Sequence, residues 1–493
     1  MLDQLITGFG MAFRVDTFVM MSAGLFSGML VGALPGFTTL LAMAILLPIS
    51  FFLDPIVGIP FLLGVYKGGI FGGSIPAILV SMPGTGAAVA TSRDGYKLTQ
   101  QGKSRKALDM ALCSSVFGDT CSDIFTMLMI FPIAYLVMQF GPPELFAVLF
   151  LSLVIIAATS GRSPLKSLVM LILGLWLSFV GTDPLGGVER FTFGLFDLKS
   201  GIPLLPMLIG VFAIPEIVTV VMKSEKVQKL TSVVGERLTF AEFRQSFKTI
   251  CRSTVIGTGI GIVPGLGQVV AAMMGYSAAK NASSHPETFG EGELEGIAAA
   301  EAANNAVNGP TMVPLLTLGI PGDNVTAILL GAFVAQGLRP GPELFETQGA
   351  TVFAILVAMV FANLLFLVIG YLSIPFFSKL VKIKVSVLVP IVIMFAFAGV
   401  YVFRSDSFDL IMLVGFGVFG LIARSGKFDV MPMVMGFILG TPLEYAFGQT
   451  VAMGNGSTMQ FLFEERLGAV TVLLMIPVIG FMLWRRMRKI PSL

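Results

Sequence analysis

The chain of 493 residues is 55% hydrophobic and only 12% charged, whereas soluble domains carry roughly 25% charged residues. This balance excludes a single soluble domain, because a chain of this length cannot bury so much apolar surface, and it indicates a polytopic membrane protein whose solvent is the lipid bilayer. The net charge of +2 is too small to favour nucleic acid as a partner.

Apolar stretches follow one another along nearly the whole chain, and a spanning helix needs about 20 such residues. Candidate spans lie near 17–34, 38–53, 124–140, 144–159, 165–180, 203–222, 253–276, 350–376, 386–402, 408–423, 428–447 and 467–484. Gly, Pro or polar residues interrupt further apolar stretches near 56–82, 107–118, 297–320 and 324–338, which we interpret as hairpins or interrupted helices. The predicted fold class is an all-α polytopic membrane protein with about 12 transmembrane helices.

Basic residues concentrate in alternate loops, which favours a cytoplasmic position for those loops. The tail WRRMRK at 484–489 and the polar stretch 223–252, with seven Lys and Arg residues, are both predicted to be cytoplasmic. Counting spans back from the tail places the loop 337–346 outside. The basic loop 93–106 is predicted to lie inside.

Two Gly/Pro motifs occur twice in the same order. GMLVGALPGFT at 28–38 matches GTGIGIVPGLG at 257–267, with Pro35 and Gly36 opposite Pro264 and Gly265 at an offset of 229 residues. PAILVSMPGTG at 76–86 matches VPLLTLGIPGDN at 313–324, with Pro83 opposite Pro321 at an offset of 238. We therefore predict a first repeat at 1–222, a basic cytoplasmic linker at 223–252 and a second repeat at 253–493. The repeats are predicted to be inverted, because the equivalent loops 93–106 and 337–346 fall on opposite sides.

A Pro-Gly pair within an apolar helix bends the helix and frees backbone groups that lipid cannot satisfy. Helix N-termini at such breaks favour anions, and freed carbonyls can hold Na⁺. Matched broken helices in two halves are typical of a transporter binding site at the repeat interface. Ordinary kinks or hinges remain the alternative.

The side chains beside the breaks are hydroxyls, amides and one carboxylate, which are hard oxygen ligands. The predicted substrate-binding residues are Lys67, Pro83, Gly84, Thr85, Gly86, Asn304, Pro321, Gly322 and Asn324. The predicted cation-binding residues are Pro35, Gly36, Thr38, Thr39, Gly265, Gly267 and Asp323. Continued helix after residue 304 would place Asn304, Asn308 and Thr311 on one face.

Charged residues inside apolar stretches are functional candidates, because a charge in the membrane is costly unless it is paired. Lys67 is such a residue, with snorkelling to a nearby interface as the alternative. Asp119 and Asp123, four residues apart, either bind a cation or begin a helix at an interface.

Other chemistries lack their motifs. His285 is the single histidine, so an H-E-x-x-H zinc site is excluded, and neither a G-x-S-x-G nucleophile motif nor a P-loop occurs. We predict that the chain is not an enzyme, and that it holds no cofactor or metal beyond a coupling ion, Na⁺ or H⁺.

The stretches GALPG at 32–36, KGGIFGGSIPAILVSMPGTGAAVATSRDGYKLTQQGK at 67–103, GIVPGLG at 261–267, EAANNA at 301–306 and LGIPGDNVTAILLGAF at 318–333 carry a family resemblance. Up to about residue 390 the chain resembles the large permease subunit of tripartite tricarboxylate transporters. The resemblance implies a bacterial inner-membrane protein that acts with a small membrane subunit of about four spans and an extracytoplasmic solute-binding protein. It also implies import of carboxylates such as citrate, driven by a cation gradient, commonly Na⁺. A stand-alone secondary transporter and a non-transporting membrane scaffold remain the alternatives.

Overall fold

The computed structural model describes residues 2–160, 163–223, 233–380 and 385–475, and most of them are helical. The first half contains α1 (Leu2–Ala12), α2 (Val15–Gly32), α3 (Thr39–Ser50), α4 (Pro55–Val80), α5 (Ala88–Gln100), α6 (Ser104–Val137), α7 (Pro142–Thr159), α8 (Pro164–Ser178) and α9 (Leu204–Lys223). Between α8 and α9 lie the antiparallel strands β1 (Gly181–Thr182) and β2 (Glu189–Arg190) and a 3₁₀ helix, Phe196–Leu198.

The second half is also largely helical. It contains α10 (Phe240–Gly261), α11 (Gly267–Ala282), α12 (Leu294–Asn305), α13 (Met312–Leu318), α14 (Asn324–Ala335), α15 (Pro342–Thr347), α16 (Gly349–Leu380), α17 (Val385–Arg404), α18 (Ser407–Ser425), α19 (Met431–Met453) and α20 (Thr458–Glu465). A 3₁₀ helix, Pro286–Thr288, precedes α12, and residues 467–475 are also helical.

The apolar helices confirm the predicted class. Among the described residues, seven helices are long and apolar enough to cross a bilayer, namely α2, α4, α6, α7, α9, α16 and α18. Shorter apolar helices are α3, α8, α14 and the part of α17 from Val389 to Arg404. The chain is an all-α polytopic membrane protein.

Three predicted segments differ from the structure. The predicted interruption near 56–82 is absent, because α4 runs as one helix from Pro55 to Val80 with Pro60 and Pro76 inside it. The predicted span near 253–276 is divided, since α10 ends at Gly261 and α11 begins at Gly267, with Pro264 and Gly265 in the gap. The predicted interruption near 107–118 is absent, because this stretch lies within the continuous helix α6. Its polar side chains are accommodated by neighbouring helices; Ser115, for example, donates a hydrogen bond to Glu301 of α12.

Close backbone contact joins α2 to α4 through glycines at every fourth position. A Cβ atom on Gly28 would lie 2.3 Å from the carbonyl oxygen of Val65, and one on Gly68 would lie 2.2 Å from that of Leu25. Small residues permit this approach in membrane helix pairs. In the second half a Cβ atom on Gly257 of α10 would lie 2.3 Å from the carbonyl oxygen of Ala303 in α12.

This packing predicts that Gly257→Leu greatly lowers the yield of folded protein, because the new side chain cannot fit between α10 and α12. Gly259→Leu is the matched control in the same helix, since a Cβ atom at Gly259 has no neighbour within 4 Å. Gel filtration of the detergent-extracted variants measures the folded fraction. Equal monodisperse yields of the two variants would contradict the close α10–α12 contact.

The Pro-Gly motifs end their helices in the same way in both halves. Ser81 at the end of α4 and Gly319 at the end of α13 are both left-handed, with φ of 56° and 70°. The following amides, Met82 N and Ile320 N, donate to the carbonyl oxygens of Pro76 and Pro314 over 3.2 and 3.1 Å. Each bond joins residues six positions apart, one more than the bond from C″ N–H to C3 C=O in a Schellman motif, and it closes a helix end at a left-handed residue. The same local structure therefore recurs at the sequence offset of 238 residues.

The other motif pair forms matched turns. Gly36 and Gly265 have positive φ values of 87° and 84°. Phe37 N donates to the carbonyl oxygen of Leu34 over 3.0 Å, closing a turn with Pro second and Gly third, the arrangement of a type II turn. Glycine is required here because other residues are strained at positive φ.

Helices α2 to α9 can be matched in order with α10 to α19 if α4 corresponds to α12 and α13 together and α15 has no counterpart. With this matching, the helix contacts of one half are repeated by the other. Helix α2 contacts α16 as α10 contacts α6, and α4 contacts α16 as α12 contacts α6. Helix α9 packs on α17 and α18, and α19 packs on α7 and α8. The halves are thus interleaved, and the core lies between them.

The described part of the linker leads into α10. Thr239 and Glu242 form a capping box at the start of α10, and Lys106 Nζ lies 2.7 Å from Glu242 Oε1. Burial raises the pKa of Glu242, but hydrogen bonds from Lys106 and Thr239 outweigh burial and lower the pKa to about 2. Residues 240–252 are therefore helical. Residues 224–232 of the linker and the basic tail at 484–489 lie outside the described residues.

Candidate functional site

A cavity of about 570 Å³ lies where the four helix breaks meet. Eight of the predicted site residues line it: Thr38, Thr39, Thr85, Gly86, Gly265, Gly267, Asp323 and Asn324. These residues come from sequence positions nearly 300 apart and from both halves of the chain. The structure therefore brings residues beside all four breaks to one place.

Four helices begin at this cavity, namely α3, α5, α11 and α14. Polar side chains cap three of them. Thr38 Oγ1 accepts from Leu41 N over 3.2 Å, Thr85 Oγ1 accepts from Ala88 N over 3.2 Å, and Asp323 Oδ1 accepts from Thr326 N over 2.8 Å. Helix N-termini carry unpaired amides and positive partial charge. The cavity is therefore suited to a bound anion.

The Pro-Gly pairs build the walls behind the lining. Gly265 N donates to the carbonyl oxygen of Gly322 over 2.9 Å, which joins the third break to the fourth. Gly84 N donates to the carbonyl oxygen of Gly73 over 3.0 Å, which fixes the second break on α4. Of the predicted site residues, Pro35, Gly36, Pro83, Gly84, Pro321 and Gly322 do not line the cavity. These six shape the turns that carry the lining residues.

Helices outside the breaks supply a wall that the sequence analysis missed. Thr159 and Ser160 come from the end of α7, Glu216 from α9, and Asp429 from the loop before α19. Glu216 carried a usable signal, because it is a charged residue that follows Pro215 inside an apolar helix. The sequence carried no such signal for Asp429, Thr159 and Ser160, because the loops around them resemble ordinary polar connections.

The charges around the cavity are unbalanced. Its lining includes the carboxylates of Glu216, Asp323 and Asp429, and no Lys or Arg within the described part of the chain. Arg424 pairs with Glu216 over 3.0 Å from outside this lining. A bound polyanion would therefore be held by amides, hydroxyls and helix N-termini, and cations would be needed to offset the nearby carboxylates.

Lys67 is placed elsewhere. Its side chain is only 1% exposed, and Nζ lies 2.8 Å from Asp119 Oδ2 and 2.6 Å from Asp123 Oδ2. It also donates to Asn363 Oδ1 over 3.2 Å. The snorkelling alternative for Lys67 is wrong, because its side chain is buried. The helix-start alternative for Asp119 and Asp123 is also wrong, because both residues lie within α6, and the cation that they hold is the ammonium group of Lys67. Lys67 does not line the cavity, since two carboxylates hold its ammonium group.

A chain of hydrogen bonds, which we term the polar chain, connects the cavity to the Lys67 ion pairs. Tyr66 Oη donates to Asp323 Oδ2 over 2.7 Å, and Gln268 Nε2 donates to Tyr66 Oη over 2.6 Å. The same Gln268 amide donates to Asn308 Oδ1 over 3.3 Å. Asn308 Nδ2 then donates to Asp119 Oδ1 over 3.2 Å. A change at Asp323 therefore has a direct route to the buried charges.

Asn304 also lies outside the cavity lining. It is buried, and neither its Oδ1 nor its Nδ2 has a hydrogen-bond partner among the described residues. The predicted common face with Asn308 and Thr311 is absent, because α12 ends at Asn305. Asn308 and Thr311 are instead joined directly, since Thr311 Oγ1 donates to the carbonyl oxygen of Asn308 over 2.8 Å.

Comparison with known proteins supplies the family. Residues 18–435 match the family described as the tripartite tricarboxylate transporter TctA family. An uncharacterised 52.8 kDa protein of Agrobacterium vitis, from the TAR-I ttuC′ 3′ region, is 35% identical over 463 residues, covering 94% of this chain and 92% of that protein. A protein from the TAR-II ttuC′ 3′ region of the same organism is 34% identical over 206 residues, covering 42% of this chain and 85% of that protein. No solved structure gives a significant match. The chain therefore belongs to the TctA family of tripartite tricarboxylate transporters.

Proposed function

We propose that this chain is the large membrane subunit of a binding-protein-dependent secondary transporter. It imports tricarboxylates or related carboxylates by symport with Na⁺. Membership of the TctA family supports a role in membrane transport rather than enzymatic catalysis. The substrate class within the carboxylates, the coupling ion and the direction of transport are the parts that this proposal adds.

The partners are a small membrane subunit of about four spans and an extracytoplasmic solute-binding protein that delivers the carboxylate. The family description as a tripartite transporter supports two further components. The location is the bacterial inner membrane with a cytoplasmic C-terminus, which the distribution of Lys and Arg among the loops supports.

One observation carries the proposal, namely a cavity with four converging helix N-termini and no basic lining residue in the described chain. Helix N-termini and amides can hold carboxylate groups. Of the three lining carboxylates only Glu216 has an ion-pair partner among the described residues, so helix N-termini and amides cannot by themselves offset a polyanion beside Asp323 and Asp429, and cations must enter with it. This combination suits a cation-coupled carboxylate transporter, whereas a scaffold has no need of it.

Within the cavity, Thr85, Gly86 and Asn324 are the groups that we assign to the carboxylate. Thr38, Thr39, Gly265, Gly267 and Asp323 are those that we assign to the accompanying cations. Asp323 is placed with the cations because a carboxylate repels an anionic substrate.

Transport follows alternating access between two inverted repeats, at 1–222 and 253–493, joined by the linker at 223–252. The recurrence of both helix-break structures and the reciprocal helix contacts support the repeats. The polar chain supplies a physical route by which occupancy of the cavity can bias the packing between halves.

The test is uptake by a reconstituted complex. The chain is co-expressed with its small membrane subunit, placed in proteoliposomes and supplied with its binding protein and radiolabelled citrate. We expect accumulation only when an inward Na⁺ gradient and the binding protein are both present.

The arms of this experiment separate the alternatives. Accumulation driven by a proton gradient without Na⁺ would overturn Na⁺ coupling. Equal uptake without the binding protein would favour a stand-alone secondary transporter. If several di- and tricarboxylates are each tested and none is taken up under any gradient, a non-transporting scaffold is favoured.

A further inference from the structure

Glu301 is a buried carboxylate without a basic partner among the described residues. Its side chain is 0% exposed, because it lies in the interior between the two halves. Ser74 Oγ donates to its Oε1 over 2.6 Å, and Thr91 Oγ1 donates to the same oxygen. Ser115 Oγ donates to Oε2 over 3.0 Å. Four helices, α4, α5, α6 and α12, thus direct side chains to one carboxyl group.

The charge on Glu301 has no compensation nearby. The buried Lys67 is already shared by Asp119 and Asp123, which leaves the described interior with more carboxylates than ammonium groups. An unpaired carboxylate away from water costs several kcal/mol. The group must therefore take up a proton or a cation.

Asn305 distinguishes these two possibilities. Its Nδ2 donates to Ser115 Oγ over 2.8 Å and to the backbone oxygen of Glu301 over 3.0 Å, so the amide lies within the cluster. Its Oδ1 is buried without a hydrogen-bond partner. In this arrangement Nδ2, not Oδ1, faces the carboxylate, 3.5 Å from Glu301 Oε2, so a proton on Glu301 would neutralise the carboxylate and leave Oδ1 unsatisfied. A cation with several oxygen ligands would draw Oδ1 into the cluster by a half-turn of the amide and so satisfy both groups.

The chemistry of the cluster selects the kind of cation. Its oxygen atoms come from one carboxylate, three hydroxyls and one amide, which together carry a single negative charge. Hard oxygen ligands suit alkali and alkaline-earth ions rather than transition metals. One negative charge matches a monovalent ion.

We propose that Glu301, Ser74, Thr91, Ser115 and Asn305 form an Na⁺ site that is separate from the cavity at the helix breaks. The ion joins α4, α5 and α6 of the first half to α12 of the second. Its role as a coupling ion rests on the proposed function, but its binding does not.

The test measures Na⁺ binding without transport. The purified complex is exchanged into choline chloride, and thermal unfolding in detergent is followed against added NaCl at constant ionic strength, with ²²Na⁺ binding in parallel. The wild type should be stabilised by Na⁺ in a saturable manner, because a ligand that binds only the folded state raises the unfolding temperature. Glu301→Gln keeps the shape of the side chain and removes the charge. It should lose one class of bound ²²Na⁺ and most of the stabilisation.

A second variant keeps the site testable if Glu301→Gln fails to fold. Ser115→Ala removes one neutral ligand and leaves the charge in place, so it should raise the half-saturating Na⁺ concentration at least about tenfold, the scale on which metal sites respond to a lost supporting group. Glu291→Gln, at an exposed loop residue, is the control and should behave as the wild type.

Unchanged Na⁺ binding in both Glu301→Gln and Ser115→Ala would overturn the site. Stabilisation of the wild type by acidification, with no response to Na⁺, would assign a proton to Glu301 and also overturn it. Loss of Na⁺ binding in these variants, together with uptake that is not driven by Na⁺, would support the site and contradict only the proposed symport.

Discussion

Replacing Asp323 by Asn is expected to weaken Na⁺-dependent carboxylate uptake strongly while the protein remains folded in the membrane. Asp323 caps α14, with Oδ1 2.8 Å from Thr326 N. Asn is an equally good N-cap residue, so the helix end is preserved. The charge that we assign to a cation is lost. Hydrogen bonds to charged groups contribute about 1.5–3 kcal/mol, so cation affinity should fall by about 10- to 150-fold.

Asp323→Ala should abolish uptake, but it also removes the helix cap and costs a further ~0.5–2 kcal/mol of stability. The Asn variant is therefore the sharper test. Asp406→Asn is its matched control, because Asp406 caps α18 through Phe408 N at 2.9 Å and does not line the cavity. Initial uptake rates are measured against Na⁺ concentration. If Asp323→Asn shows the uptake rates and Na⁺ dependence of the wild type, Asp323 serves only as a helix cap.

Replacing Lys67 by Met is expected to prevent accumulation of stable protein. The change leaves Asp119 and Asp123 buried, 0% exposed, without their shared cation. Breaking a buried ion pair on one side costs about 3–5 kcal/mol, which is a large part of the 5–15 kcal/mol typical of folded domains. Thermal unfolding in detergent and the yield of extracted protein measure the loss.

Two companion variants show whether the buried charges are responsible. Lys199→Met removes a salt bridge of 2.6 Å to Glu189 whose members are 46% and 43% exposed, and exposed pairs contribute only about 0–1 kcal/mol. It should retain nearly wild-type stability. The triple variant Lys67→Met, Asp119→Asn, Asp123→Asn removes the charge of both acids as well, and it should recover much of the lost stability. Failure of this rescue would indicate that packing of the Lys67 side chain, not charge, is what matters.

The membrane class and the helix breaks could be predicted from sequence, because hydropathy and backbone chemistry are local properties. The apolar stretches indicated a membrane protein, since lipid is the only solvent for so much apolar surface. The four Pro-Gly pairs predicted four breaks, because Pro removes a hydrogen-bond donor and Gly tolerates backbone conformations that other residues avoid. The offsets of 229 and 238 residues also came from sequence, and the same local structures recur at them.

Helix continuity was harder to predict. Residues 107–118 were expected to be interrupted because they contain polar side chains, yet α6 runs through them. The missing information was the presence of α12, whose Glu301 accepts from Ser115. A polar residue breaks a membrane helix only when no neighbouring helix satisfies it, and that neighbour is not visible in a local pattern.

The sequence alone determined the membrane class and the repeated motifs, and eight of the sixteen site residues that it predicted line the cavity. Only the tertiary structure decided how the buried charges are paired. Lys67 meets Asp119 and Asn363 across separations of 52 and 296 residues, and Glu301 meets Ser74 across 227. The physical reason is that hydropathy and Pro-Gly geometry act within a few residues. Which helix faces meet depends on packing across the whole bundle, so a side chain such as Lys67 shows its charge in the sequence but not its partner.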